Sequence, residues 1–158
     1  MRPHLVVGAT LTLTTLIGCA SRPDVEQLCG VWATGDIREQ WWIDGQDLRG
    51  EGRMIRDGVE VRTEVLALRH DKRGHVYVAQ PGDAAPTEFA PIDPRDAKFG
   101  PEAVASADHF AWANYAHDFP QEIHYVLVGD RIAATISGPD RTNGWEFQRA
   151  AACTEDAQ

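Results

Sequence analysis

The chain has 158 residues, 43% of them hydrophobic and 25% charged, with a formal net charge of −9. That is enough for one soluble domain with a core of its own. With 24 acidic residues against 15 basic ones, it is no nucleic-acid binder, which needs basic stripes to neutralise phosphate.

The first residues differ from the rest. Arg2 precedes an uncharged, mostly apolar run, "LVVGATLTLTTLIG", at 5–18. The run is too short to span a bilayer as a stable anchor and fits the apolar region of a signal peptide. It ends in Leu16-Ile17-Gly18-Cys19, which resembles the bacterial lipobox. There a small residue precedes the cut and the cysteine thiol receives a diacylglyceryl group. The alternative is a plain secretory signal with Cys19 free or paired. The lipobox reading predicts a signal peptide at 1–18, lipidation at Cys19 and a polar lipidated tether over 19–27. The partner would then be a membrane, held through acyl chains. The location would be the bacterial cell envelope. Ala20 follows the cysteine in place of an aspartate, so the outer membrane, facing the periplasm, is preferred. Removing 1–18 deletes only Arg2 among the charges and leaves 14 Lys and Arg against 24 Asp and Glu. An acidic surface does not hug anionic headgroups.

With Cys19 lipidated, Cys29 and Cys153 remain, at the two ends of the folding region. An oxidising compartment predicts a disulfide between them; two separate buried thiols are the alternative. Between them the chain breaks into short runs separated by turn residues. Extended segments are predicted at 37–43, 48–56, 59–70, 75–80, 87–92, 108–115, 122–128, 131–137 and 144–150. Asp57-Gly58 is a strong hairpin signal. The segments are rich in Val, Ile, Trp, Tyr and Phe, which suit strands. The one helical candidate is the short stretch Pro101–Ala107. About nine to ten consecutive strands with tight turns predict an antiparallel meander. Closing it removes the exposed edges. The fold class is therefore all-β: an up-and-down β-barrel over 28–153, with a tail at 154–158. A two-sheet β-sandwich is the alternative. In a closed meander the first and last strands pair, which would bring Cys29 and Cys153 together.

Alternation assigns faces. Ile37, Glu39, Trp41 and Ile43 share one side of their strand, so an acid sits on an apolar face. Glu64 shares a side with Leu66, Leu68 and Arg62. Glu39 and Glu64 are thus candidate interior acids, with Arg62 as a candidate partner. An inward carboxylate must be paired, solvated or raised in pKa. The stretch "YAHDFPQEIHY" at 115–125 is the densest cluster of chemically capable side chains. Pro120 forces Phe119 toward extended geometry and cannot donate to a ladder. Asp118, Phe119 and Pro120 are therefore predicted to build a structural corner, with Asp118 accepting backbone N–H groups. His117 would project into the barrel mouth, and Tyr125 would face inward with Ile123 and Leu127.

Other chemistry is thin. His109, His117 and His124 are too widely spaced for a local metal motif. "SADH" at 106–109 reads as composition rather than a triad, and no nucleophile elbow is present. No phosphate loop or dinucleotide fingerprint occurs, so no cofactor is assigned.

Two features carry a family resemblance. "GVW" at 30–32, ahead of the first predicted strand, resembles the Gly-x-Trp start of lipocalin-like, or calycin, barrels. "EQWW", the Glu64 strand and "WANYAHDFPQEIHY" at 112–125 resemble the bacterial family labelled DUF6265, a domain of unknown function. Trp112, Asn114, His117, Asp118, Phe119, Pro120, Ile123 and Tyr125 match its pattern. Ala113 and Tyr115 depart from it, where Glu and Pro are typical. The resemblance covers roughly 28–150 and implies a lipocalin-like fold without assigning a reaction.

These readings converge on a lipid-anchored protein that binds a small or hydrophobic ligand inside its barrel. Trp41, Leu66, Phe110 and Tyr125 would line the site. Glu39, Arg62, Glu64 and His117 would be its polar anchors. A structural lipoprotein with a filled core is the first alternative. An enzyme using His117 as acid or base is the second.

Overall fold

In the computed structural model, which describes residues 24–103 and 106–153, two-residue reversals set the architecture. Asp57 and Gly58 both adopt positive φ, 51° and 76°. This geometry matches the twist of the flanking strands. Similar reversals fall at 35–36, 45–46, 72–73 and 129–130. They join ten antiparallel strands among the described residues: β1 (Gly30–Thr34), β2 (Ile37–Asp44), β3 (Asp47–Arg56), β4 (Val59–Asp71) and β5 (Gly74–Pro81), then β6 (Thr87–Pro91), β7 (Asp108–Ala113), β8 (Glu122–Val128), β9 (Arg131–Ser137) and β10 (Thr142–Ala151). Each strand pairs with the next, and β1 pairs with β10, so the sheet closes into a barrel. The sandwich alternative is thereby excluded. The Gly-x-Trp segment is itself β1 rather than a lead-in to the first strand.

The signal segment 1–18, Cys19 and the tail 154–158 lie outside the described residues. Residues 24–27, assigned to the tether from sequence, belong to the fold instead. Asp24 accepts the N–H of Glu26 and caps a 3-10 helix at Val25–Leu28. Val25 and Leu28 join the core cluster and close one end of the barrel. Trp32 Nε1–H donates to the Leu28 carbonyl at 2.8 Å. The Arg149 guanidinium lies 3.9 Å over the Trp32 ring. It also donates to the carbonyls of Cys29 and Gln27. Cys29 and Cys153 are disulfide-bonded at a Cα separation of 4.9 Å, 124 residues apart in sequence. In the chain-entropy account, a closure that long stabilises by about 4–5 kcal/mol.

The closed half of the barrel is filled. Trp32, Leu48, Leu66, Leu68, Leu127, Ile132 and Phe147 are all buried. Toward the other end, Ile37, Ala79, Ile136 and Trp145 pack on this core but remain half-buried. The connection from β6 to β7 contains a 3-10 turn at Pro94–Asp96. The helix expected over Pro101–Ala107 does not form among its described residues. So short a helix is marginal in isolation. The backbone N–H groups just ahead of it, at Lys98, Phe99 and Gly100, bond to the Glu122 side chain instead.

Candidate functional site

Strand register brings four of the sequence-predicted residues together. Glu39 lies opposite Gly52 on β3, and Glu64 lies opposite the same Gly52 from β4. A Cβ on Gly52 would stand 2.6 Å from Glu64 Cγ, and one on Gly50 would stand 2.7 Å from Trp41 Cε3. The two glycines thus leave the room into which Glu64 and Trp41 lean.

Glu39 Oε2 accepts the Tyr125 hydroxyl at 2.7 Å and, more weakly, Trp41 Nε1–H at 3.3 Å. Tyr125 and Tyr77 share a hydroxyl contact of 3.2 Å. The Tyr77 ring meets Trp41, Phe89, Trp112 and Tyr125 at centroid distances of 5.2–6.3 Å. Each such pair adds about 0.5–1.5 kcal/mol beyond area burial. Glu39 is densely surrounded by protein yet half-buried rather than sealed. Its carboxyl is desolvated but still reachable by water. Burial raises its pKa to about 7, with a further push from Glu64; the Tyr125 and Trp41 hydrogen bonds oppose the rise. Burial also raises Glu64. Tyr77 and Tyr125 stay protonated, raised first by burial and then by Glu39. Among the described residues no Lys or Arg pairs with Glu39.

Trp41, Leu66, Phe110 and Tyr125 are all buried in the core cluster. Arg62 does not join them. The β3–β4 register shifts between Gly52 and Arg53, so Arg62 rather than Thr63 faces Arg53. This irregularity reverses the alternation beyond Glu64. Arg62 turns outward, exposed, and pairs with Glu51 at 3.3 Å. His117 sits beside the site rather than in it. Its Nδ1–H donates to the Pro120 carbonyl at 2.8 Å, and its ring edge meets Phe89 at 5.7 Å.

The corner forms around a different residue from the one expected. Asp118 is exposed. Asn114 holds the bend: its Oδ1 accepts the Ala116 N–H, its Nδ2 donates to the Glu88 carbonyl, and its own carbonyl accepts the His117 N–H. An amide can both accept and donate there, whereas a carboxylate only accepts. Phe119 packs under the Arg141 guanidinium, 3.7 Å from its centroid, and precedes Pro120 through a cis peptide bond.

A second polar cluster escaped the sequence reading. His109 and His124, distant in sequence, meet on the outer wall with Nε2 and Nδ1 3.0 Å apart. His124 Nε2 donates to Glu122 Oε2 at 3.1 Å. Glu122 is fully buried beneath one layer of loop. It also accepts Tyr115 Oη–H and the N–H groups of Lys98, Phe99 and Gly100. Burial pushes its carboxyl up, but these donors outweigh burial and hold it below the usual range. Burial lowers both imidazoles, His109 to about 4. The available signal was the shared outward parity of Glu122 and His124. Which β7 residue lies beside them is a matter of register. Among the described residues, no group of three or more His, Cys, Asp or Glu is arranged to hold a metal ion.

The chain matches no protein-family model, no curated protein and no solved structure.

Proposed function

We propose that the barrel binds a small ligand with an apolar, ring-sized body and a cationic nitrogen directed at Glu39. The observation that carries this is a half-buried carboxyl among aromatic rings, with a second acid nearby and, among the described residues, no cation beside it. A carboxylate in such a setting is costly until a positive partner arrives. The surrounding Trp and Tyr faces favour the same charge. Glu64 would add to the attraction, and Trp41, Tyr77 and Tyr125 would hold the apolar part. The lipocalin-like identity of the barrel, the kinship with the DUF6265 pattern and the lipid-anchored envelope location belong to this proposal. The Gly-x-Trp start, the 112–125 motif and the lipobox-like Cys19 support them.

Calorimetric titration with benzylammonium tests the reading. Binding is expected to strengthen from pH 5 to pH 8 as Glu39 ionises, and Glu39→Gln is expected to weaken it at least tenfold. Equal affinity in the variant would sink the proposal. The filled closed half of the barrel favours a second reading, a structural lipoprotein. It expects no binding by either protein.

A further inference from the structure

Strand β4 outruns its neighbour on one side. Its pairing with β5 begins at Glu64 opposite Pro81, so residues 59–62 pair with β3 alone. All four are exposed, Val59 at 61% and Val61 at 36%. The hairpin closes at Arg56 opposite Val59. In a two-residue reversal the closing pair is a hydrogen-bonded one, and the pattern alternates from there. Val59 and Val61 therefore direct their backbone groups at β3. Glu60 and Arg62 turn theirs to the open edge, where no strand among the described residues receives them. Such an edge is a template for another strand.

The side chains on this edge complement themselves. Antiparallel pairing with a second copy about Val61 sets Glu60 opposite Arg62 of that copy, and Arg62 opposite its Glu60. Both pairs are of the hydrogen-bonded kind, so each exchanges N–H and carbonyl groups in both directions. Val61 meets the same valine of the copy on the other face, which covers two exposed apolar side chains. A slip of two residues either way sets Glu60 on Glu60 or Arg62 on Arg62, and like charges directly opposite are destabilising. Charge thus selects one register. The neighbouring strands reinforce it. Arg38, Arg53 and Arg62 lie side by side across β2, β3 and β4. The acids paired with them are Glu51 and Glu60, so three cations share two carboxylates. Arg62 contacts Glu51 at 3.3 Å with its side chain still 59% exposed, which leaves its guanidinium able to take a second carboxylate.

We propose that the free edge of β4 is a homodimer contact, pairing with the same edge of a second copy across a two-fold axis at Val61. So short a contact belongs to the weak, transient class of interfaces. Sedimentation equilibrium and amide hydrogen exchange of the full chain, followed to high protein concentration, test this. A dimer is expected, with exchange at the Glu60 and Arg62 amides slowing as concentration rises. The amides of Val59 and Val61, already bonded to β3, should change far less. Glu60→Arg sets Arg against Arg, and Arg62→Glu sets Glu against Glu. Each variant alone should self-associate at least tenfold more weakly, and the two mixed should associate with each other. A chain that stays monomeric, association indifferent to either variant, or no association on mixing would overturn the proposal. So would protection of the Glu60 and Arg62 amides in a monomeric chain by an uncharged extended peptide of valine and threonine, which would assign the edge to a peptide partner. Both altered residues are exposed, and the exchange is read on the unaltered protein, so the test does not depend on a variant folding.

Discussion

Glu39 and Glu64 face one another across Gly52 on the inner wall of the barrel, each paired in register with that glycine from its own side. Two acids one strand apart, with Trp41 and Tyr125 hydrogen-bonded to Glu39, oppose each other's ionisation. The glycine between them gives Glu64 space to lean, and Tyr125 gives Glu39 its best hydrogen bond.

The first prediction concerns pH. Glu39 titrates at about 7 in the fold against 4.5 ordinarily. Between those values the folded state holds a proton that the unfolded chain releases. Stability contributed by this group therefore falls as pH rises from 4.5 to 7 and levels off above. Glu39→Gln keeps an acceptor for Tyr125 and removes the titration. At pH 8 the variant should be the more stable by on the order of 2 kcal/mol. At pH 4 the two should match. Urea denaturation at both pH values measures the difference, and parallel profiles would contradict the interior placement of Glu39.

The second separates two neighbouring glycines. Gly50→Ala would drive a Cβ into the rigid Trp41 ring, whereas Gly52→Ala meets the Glu64 side chain at its Cγ and carboxyl, a chain that can rotate away. Gly50→Ala should cost about 2–3 kcal/mol, in the range of overpacked cores. Gly52→Ala should cost about 1 kcal/mol or less, because Glu64 can swing aside. Thermal unfolding of the two variants side by side gives the order. A reversed order would mean that Trp41 does not lie across Gly50.

The third addresses the outer wall. Glu122→Gln places an NH₂ where the carboxylate receives only donors, so at least one backbone N–H of Lys98, Phe99 or Gly100 loses its acceptor. The expected cost is about 2–3 kcal/mol. Hydrogen exchange at those three amides should accelerate together. Glu122's folded pKa lies below its ordinary 4.5. Its contribution is therefore present above that value and lost on acidification, so the gap between wild type and variant should narrow in acid. Unchanged exchange at 98–100 would show that the loop is held by something else.

Much of this architecture is legible locally. Period-two alternation put Glu39, Trp41, Leu66 and Tyr125 on inward faces, and turn residues such as Asp57-Gly58 marked where the chain reverses. A meander of that many short strands must hide its edges, and closure sets Cys29 beside Cys153. These inferences need only the pleat and the cost of exposed backbone, which are properties of a few consecutive residues.

Tertiary structure decided the rest, because register is set between strands rather than within them. A single irregularity opposite Gly52 and Arg53 turned Arg62 to the outside and left Glu39 without a cation among the described residues. The β7–β8 register carried His124 to the side of His109, fifteen residues away, and a loop whose amides Glu122 gathers covers His124. The early end of β6 opened a notch that His109 helps to line. No periodicity within one segment specifies where its neighbour begins, so these juxtapositions came only with the packed barrel.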